Sequence, residues 1–334
     1  MLEPPFDTVL KPYGHALVDL AAARPEVLCL SGDLTRQCEV DLFQEAFPER
    51  FIHAGMAEAN MMSMAGALAR QGFIPFVHTF GVFATRRPLD QIVNAIAYPG
   101  LPVRIVGFMP GVSSPGGPSH QAIEDVALMR ALPNMTVVDV ADSREISLAV
   151  RAIADHPGPV YLRLKRGEIP TIFDDDHVFS LHAAATLASG GDVALISSGM
   201  MLPATLQGAA TLRAAGVDAG VVHVPVIKPI DREGVLRAAR QAKAVVTAEN
   251  HSIIGGLGSA VAEVLAEEGV GIPLRRVGLG DTFAEGAKTG PYLFEKYGLS
   301  TQHLVDAAWS ALRRPGQAPR AKIHETLQGE YAPV

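Results

Sequence analysis

Residues 53–91 read HAGMAEANMMSMAGALARQGFIPFVHTFGVFATRRPLDQ, and this stretch decides the fold. Met56 to Arg70 is rich in Ala, Met and Leu and free of Pro, which predicts a helix that begins after Gly55 and ends before Gly72. An apolar strand is predicted next, from Phe73 to His78. In parallel α/β sheets, ligands collect at the carboxyl ends of the strands. Site residues are therefore expected just beyond this strand.

A carboxylate and two aromatic rings flank the predicted strand. Glu58 lies in the first turn of the helix, and Phe80 and Phe83 follow the strand, three residues apart. A first-turn carboxylate can simply favour the positive end of the helix dipole, and the two phenylalanines can simply pack in the core. Their combination at a ligand-binding edge makes them candidate site residues.

Four short motifs in this order resemble the pyrimidine-binding half of transketolase. They are Gly55-Met56-Ala57-Glu58, Thr79-Phe80-x-x-Phe83, Asp90-Gln91-Ile92, and Gly117-Pro118-Ser119-His120-Gln121 with Glu124. The sequence is most similar to the short second subunit of split, two-chain transketolases, and the similarity extends from about Tyr13 to near Leu312. One motif alone is weak, but four in the correct order, followed by a matching C-terminal domain, are specific.

The resemblance implies thiamine diphosphate as the cofactor and assigns it particular residues. The cofactor needs a carboxyl group hydrogen-bonded to its pyrimidine ring in a dry pocket, a role that suits Glu58. The matching histidine of the family contacts the hydroxyl groups of the ketose donor, so Glu58 and His120 are the expected catalytic residues. The expected cofactor-binding residues are Asp33, Leu34, Met56, Glu58, Phe80 and Phe83.

Two of these assignments have simple structural alternatives. Asp33 follows the predicted strand Val27 to Leu30 within a Ser-Gly-Asp-Leu turn, where an aspartate often only stabilises the turn. His120 stands beside a predicted helix start, where a histidine is often structural. The GPSHQ motif around His120 favours the functional role.

A metal site is missing from the sequence. The family binds the Mg²⁺ of the diphosphate with a Gly-Asp-Gly motif and a later Asn, and this pair does not occur here. The resemblance therefore implies that the diphosphate and Mg²⁺ ligands come from a partner, the diphosphate-binding transketolase subunit. A homodimer core within a heterotetramer is the expected assembly.

The sequence departs from the phosphosugar pattern of the family. Transketolases bind the substrate phosphate partly with a histidine, an arginine and a serine; the matching positions here hold Phe108, Leu10 or Lys11, and Gln37. The usual acidic residue before Gly-Pro, which holds a substrate hydroxyl, is Gly116. Only Arg166 remains as a candidate anion ligand, with a surface role as the alternative. Small sugars are the expected substrates, and whether they are phosphorylated is left open.

Strands and helices alternate through both halves, which predicts an α/β fold of two doubly wound domains. The expected boundaries are a pyrimidine-binding domain at 1–170, a linker at 171–190, a transketolase C-terminal-type domain at 191–315 and an extended tail at 316–334. The second domain carries Gly255-Gly256-Leu257-Gly258, which is not interpreted as a phosphate loop because no Lys-Ser or Lys-Thr follows.

Composition points to a cytoplasmic enzyme. The net charge of −7 and the lack of a basic stripe argue against a nucleic-acid partner. No apolar run approaches the length of a membrane span, and the first residues do not resemble a signal peptide. Cys29 and Cys38 form neither a disulfide framework nor a metal-binding pattern.

Three functions are compatible with the sequence. The first is the pyrimidine-binding subunit of a transketolase-type enzyme that moves a two-carbon ketol unit between a ketose and an aldose. The second is another thiamine-dependent activity, of the 2-oxoacid dehydrogenase β or deoxyxylulose phosphate synthase type. The third is a silent subunit that only stabilises a partner. The GPSHQ motif favours the first, and retention of Glu58, Phe80, Phe83 and His120 argues against the third.

Overall fold

Alternating buried strands and amphipathic helices form the first half of the chain in a computed structural model that describes residues 6–286 and 288–321. Its strands are β1 (Thr8–Leu10), β2 (Val27–Ser31), β3 (Phe51–His53), β4 (Ile74–Phe80), β5 (Arg104–Phe108), β6 (Thr136–Asp139), β7 (Val160–Leu164) and β8 (Glu168–Pro170). Its α-helices are α1 (Pro12–Ala23), α2 (Asp41–Ala46), α3 (Glu58–Arg70), α4 (Gly81–Thr85), α5 (Leu89–Gln91), α6 (Asp125–Ala131) and α7 (Ser143–Ala154). A π-helical turn spans Ile92–Ala97, and 3₁₀ turns span Pro48–Arg50 and Gly111–Ser113.

The second half repeats the same alternation. Its strands are β9 (Ala185–Ala188), β10 (Val193–Ser197), β11 (Ala219–His223), β12 (Val226–Lys228), β13 (Ala244–Ser252) and β14 (Leu274–Leu279). Its helices are α8 (Leu202–Ala214), α9 (Arg232–Gln241), α10 (Leu257–Glu267), α11 (Gly290–Lys296) and α12 (Thr301–Ala311), with a 3₁₀ turn at Gly199–Met201. None of the helices in the described ranges combines the length and apolar character needed to cross a lipid bilayer.

The described strands form two large sheets and one small one. The larger sheet has seven strands in the order β12-β6-β7-β5-β4-β2-β3, parallel except for β12, which runs antiparallel to β6. The second has five strands in the order β14-β13-β10-β11-β9, with β9 antiparallel to β11. β1 pairs with β8. The predicted α/β fold is confirmed, and β12 adds a strand from the second half to the first sheet.

Several predicted elements have the observed bounds, and others differ locally. The sequence pattern predicts strands from Val160 to Leu164 and Val193 to Ser197 and helices from Ser143 to Ala154 and Leu257 to Glu267, and β7, β10, α7 and α10 have these bounds. α3 begins at Glu58, which keeps this carboxylate in the first turn. The sequence also predicts a helix from Arg87 to Ala97, but the structure has a turn, the short helix α5 from Leu89 and then the π-helical turn. A further helix is predicted from Gln121 to Arg130, whereas α6 begins only at Asp125. The predicted tail lies mostly outside the described residues.

A buried cation joins the two halves of the chain. Arg163 of β7 is 1% exposed and donates to both carboxylate oxygens of Asp125, at 2.7 and 3.0 Å. It also lies 3.3 Å from Asp139 and donates to the backbone oxygen of Asn250 in β13, at 2.8 Å. Burial raises the pKa of the Asp125 carboxyl, but the charge and hydrogen bonds of Arg163, together with His251 and Tyr161, lower it by more, so the net pKa lies below its usual value. The ionised pair therefore contributes to the contact between the domains.

Replacing Arg163 by Met is expected to destabilise the fold strongly, because Asp125 and Asp139 would stay buried without their cation. Breaking a buried ion pair in this way typically costs about 3–5 kcal/mol. Urea denaturation measures the change. Arg232→Met is the matched control, since Arg232 pairs with Glu267 in solvent, and its unfolding midpoint should hardly move. Equal midpoints for the two variants would contradict the role of Arg163.

Candidate active site

Glu58 is a buried carboxylate at the carboxyl edge of the seven-stranded sheet. It is the first residue of α3 and is 3% exposed. Its Oε1 accepts a hydrogen bond from Nη1 of Arg87 at 2.8 Å, and the Arg87 side chain is 52% exposed. A buried carboxylate whose partner is half in solvent can exchange that partner for a ligand. This position therefore has the chemistry of a binding site.

Aromatic rings continue the site from Arg87. The guanidinium carbon of Arg87 lies 4.2 Å from the centre of the Phe83 ring, and the rings of Phe80 and Phe83 are stacked at 6.2 Å and 17°. The ring of His120 meets Phe83 edge-on at 5.3 Å. Glu58, Phe80, Phe83 and His120 are thus connected through one another and through Arg87. β4 ends at Phe80, so the cluster lies at the predicted strand end.

The position of Arg87 shows that the site accommodates a planar, hydrogen-bonding group. Its guanidinium is flat, donates to Glu58 and lies against the face of Phe83. An aminopyrimidine ring needs the same two contacts, a hydrogen bond to a carboxyl group and an apolar surface to stack on. The residues therefore fit the pyrimidine end of the expected cofactor. Among the residues that the structure describes, no group of His, Cys, Asp or Glu side chains is arranged to hold a metal ion.

The loop that carries His120 is held from two sides. Arg86 forms an ion pair with Glu124, with Nη2 2.7 Å from Oε2, and donates to the backbone oxygens of Pro118 and Gln121, at 3.0 and 3.1 Å. The Nδ1 atom of His120 lies 2.9 Å from Oγ of Ser119. These bonds fix the GPSHQ motif against the end of α4.

The lack of a side chain at Gly116 leaves space for His120. A Cβ atom at Gly116 would lie 2.7 Å from Cβ of His120, which real structures essentially never show. An acidic side chain at this position, as the family usually has, would force the histidine to move. The glycine and the observed position of His120 therefore belong together.

The second domain supports the start of the same loop. Asn250 donates to the backbone oxygen of Pro110 at 2.9 Å and accepts from the backbone N–H of Val112 at 3.0 Å. The amides at the start of α10 are bound by Glu249, which accepts from Leu257 and Gly258 at 2.7 and 2.9 Å. The amides of this glycine-rich turn are thus bound by a carboxylate of the chain itself, which agrees with the interpretation of the turn as structural.

The remaining expected cofactor residues lie around the cluster without joining it. Leu34 packs on the same hydrophobic core as Phe80 and Phe83. Asp33 has a φ of 79° and lies 3.5 Å from Nε2 of His53. Met56 is 76% exposed on the segment before α3. The hydrogen bonds, ion pairs and ring contacts of the described residues do not connect Asp33 or Met56 to Glu58.

Arg166 lies in a separate cleft of about 220 Å³ at the same sheet edge. Its lining includes the positions matched to the family's three phosphate ligands, except one: it consists of Leu10, Lys11, Arg36, Gln37, Glu39, Arg166 and Gly167. The exception is Phe108, which is fully buried and packs edge-on against Tyr13. The structure thus brings the other substituted positions together around Arg166.

Sequence reasoning did not select three of these residues: Arg87, Arg36 and Glu39. The signal for Arg87 was its place in the Arg-Arg pair that follows Phe83 after Ala84 and Thr85. Arg36 and Glu39 lie in the polar, irregular segment from Thr35 to Arg50, whose sequence predicts only a loop and a short helix. Their importance depends on where the loop after β2 meets the end of β7, which no local pattern reveals.

Comparison with known families matches almost the whole chain. The family described as "Transketolase, pyrimidine binding domain" matches residues 8–171, and "Transketolase, C-terminal domain" matches residues 182–304. The two matched regions contain the Glu58 cluster and the five-stranded sheet, respectively.

Two individual relatives and one solved structure match this chain over most of their own length. A "Putative uncharacterized transketolase family protein y4mN" of Sinorhizobium fredii is 46% identical, over 88% of this chain and 86% of that protein. The "6-deoxy-6-sulfo-D-fructose transketolase subunit SqwH" of a Clostridium species is 43% identical, over 90% and 94%. A solved structure described as "Split gene transketolase, inactive beta4 tetramer" is 44% identical with a TM-score of 0.82, over 91% and 97%. A 1-deoxy-D-xylulose-5-phosphate synthase of Geobacter sulfurreducens is more distant, at 33% identity, and the match covers 43% of its length.

Proposed function

Because this chain belongs to the transketolase family, as a pyrimidine-binding subunit of a transketolase-type transferase, we propose that its Glu58 cluster forms the pyrimidine half of a thiamine diphosphate site. The diphosphate and Mg²⁺ ligands come from a partner subunit, which completes the site. The enzyme transfers a two-carbon ketol unit from a ketose to an aldose. The observation that carries this proposal is the Arg87 guanidinium, which binds Glu58 and stacks on Phe83 as a pyrimidine would.

Each residue of the cluster has a distinct role in this proposal. The bound cofactor supplies the nucleophilic carbon that accepts and releases the ketol unit. Glu58 holds a proton at the ring nitrogen of the pyrimidine, and Phe80 and Phe83 provide apolar walls that exclude water. Arg87 moves from Glu58 into solvent when the pyrimidine enters. His120 donates a hydrogen bond to a hydroxyl group of the sugar.

The other expected cofactor contacts remain part of the proposal. Leu34 shares the core under the two rings and would hold the thiazolium region of the cofactor. Asp33 and Met56 lie on the exposed side of the sheet edge, where a partner subunit would approach. Their contacts with the cofactor therefore form on assembly.

Three broader features belong to the same proposal. The pyrimidine-binding domain spans 1–170, the linker 171–190, the C-terminal-type domain 191–315 and the tail 316–334. Two such chains form a homodimer core that binds two partners as a cytoplasmic heterotetramer. The similarity to a split-gene transketolase described as an inactive beta4 tetramer supports self-association. The more distant relation to deoxyxylulose phosphate synthases makes that activity the weaker candidate. The GPSHQ motif favours ketol transfer over a 2-oxoacid dehydrogenase β role.

The substrate is proposed to be a sugar without a terminal phosphate. The family's arginine, serine and histidine positions hold Leu10 or Lys11, Gln37 and Phe108, and Phe108 is buried in the core. The similarity to a 6-deoxy-6-sulfo-D-fructose transketolase subunit supports a non-standard sugar.

The enzyme is expected to show no large preference for phosphorylated acceptors over free ones, because the three side chains that would bind the phosphate are replaced. Each charged hydrogen bond contributes about 1.5–3 kcal/mol, so its loss considerably lowers the preference for a phosphorylated over a free aldose. The measurement compares kcat/KM for a free and a phosphorylated aldose, with the chain reconstituted with its partner. A thousandfold preference for the phosphorylated aldose would contradict the proposal.

A further inference from the structure

The cleft at Arg166 contains two guanidinium groups that are available to a ligand. The side chains of Arg36 and Arg166 form no hydrogen bond or ion pair within the described ranges, and both line the cleft. Lys11 also lines it, but its Nζ lies 2.6 Å from Oδ2 of Asp41, which neutralises its charge. Paired guanidinium groups bind tetrahedral anions through several hydrogen bonds at once.

A carboxyl group lies at the base of the same cleft. Glu39 is 2% exposed, and its two oxygens accept from the backbone N–H groups of Gly14 and Gly167, each at 3.3 Å. A Cβ atom at Gly14 would collide with the backbone oxygen of Glu39, so the two segments are tightly packed. Glu39 is therefore fixed in place and cannot swing away from an entering ligand.

The ionisation of Glu39 follows from its surroundings. Burial raises its pKa to about 7, although the backbone hydrogen bonds and the Lys11 charge act in the opposite direction. Its carboxyl is therefore mostly ionised at pH 8. The titratable and charged groups near it are Lys11, Tyr13, Arg36, Cys38, Asp41 and Arg166.

These charges leave the cleft with one uncompensated positive charge. The two free arginines face one carboxylate, and the charge of Lys11 is cancelled by Asp41. A singly charged anion balances the remaining charge, whereas a doubly charged anion brings a second negative charge close to Glu39. Because Glu39 is buried, water screens its repulsion of a second negative charge only weakly.

We infer that this cleft binds the terminal group of the sugar and that Glu39 makes it selective for a singly charged sulfonate over a doubly charged phosphate. The inference rests on the proposed ketol transfer only for the identity of the ligand as a sugar. Glu39 acts here as a specificity residue, since it discriminates by charge and takes no part in the chemistry.

The test uses two small anions of matched shape that differ by one charge at pH 8, methanesulfonate and methyl phosphate. Their binding to the full chain is measured by NMR titration. The wild-type chain is expected to bind methanesulfonate at least tenfold more tightly. Glu39→Gln should remove most of this preference by strengthening methyl phosphate binding, while Glu39→Asp should retain it. Arg36→Met should weaken both anions.

Several outcomes would overturn the inference. They are equal binding of the two anions by the wild-type chain, no binding of either, or an unchanged preference in Glu39→Gln. The wild-type comparison alone decides the matter should Glu39→Gln fail to fold. Because this titration needs neither cofactor nor partner, its failure is distinct from failure of the proposed function, which ketol transfer to a free aldose in the reconstituted enzyme tests separately.

Discussion

Glu58→Gln is expected to slow proton loss from the reactive carbon of thiamine diphosphate by about 10²–10⁴-fold, the usual range for a general acid or base. Glutamine keeps the volume and one hydrogen bond but cannot hold the acidic proton at the pyrimidine ring. Hydrogen exchange at that carbon, followed by NMR in the complex reconstituted with the partner, measures the step directly.

A second glutamate provides the matched control for this experiment. Glu233 also lies in the first turn of a helix, α9, but is exposed, so Glu233→Gln should leave the exchange rate unchanged. The thermal midpoint of Glu58→Gln should stay near that of the wild-type chain, because glutamine can still accept the hydrogen bond from Arg87. Wild-type exchange in Glu58→Gln would exclude Glu58 from the mechanism and favour a silent, partner-stabilising subunit.

Without its partner, the folded chain is expected to bind thiamine diphosphate weakly and to turn over no substrate. It offers the pyrimidine only a hydrogen bond to Glu58 and a stacking surface on Phe83, and Arg87 occupies both. The charged diphosphate has no metal-binding cluster among the described residues. Calorimetric titration with cofactor and Mg²⁺, with and without the partner, measures the difference.

The partner should restore both binding and ketol transfer to the wild-type chain. With Glu58→Gln it should restore binding largely but transfer hardly at all, which separates assembly from chemistry. Micromolar cofactor affinity in the absence of the partner would show that this chain holds the diphosphate by itself and would refute the proposed division of the site.

Local sequence patterns predicted the elements that carry the Glu58 cluster. The Ala- and Met-rich run before Gly72 predicted α3 closely, and the apolar strand ending at Phe80 placed the rings at the sheet edge. These features depend on helix propensity, periodicity and strand polarity, which neighbouring residues determine. The contacts among Glu58, Phe83 and His120 are consistent with the predicted order of motifs.

Other features depend on contacts between distant segments. The role of Arg87 could not be deduced, because the sequence predicts a regular helix from Arg87 to Ala97, whereas Arg87 lies in the turn between α4 and α5. Burial raises the pKa of Glu39 against the hydrogen bonds from Gly14 and Gly167, and both the burial and these bonds require the fold. Phe108 was matched to a ligand position, but the T-shaped contact with Tyr13 keeps it in the core.

Strand β12 has a consequence for domain exchange among relatives. It lies in the second half of the sequence but completes the first sheet beside β6. A chimaera joined between residues 171 and 190 would receive this edge strand from the donor of its C-terminal domain. If the donor's strand did not pair with β6, the unpaired backbone of β6 would be open to strands of other molecules, a common route to aggregation. The two domains are thus best recombined as a unit, since one sheet is built from both.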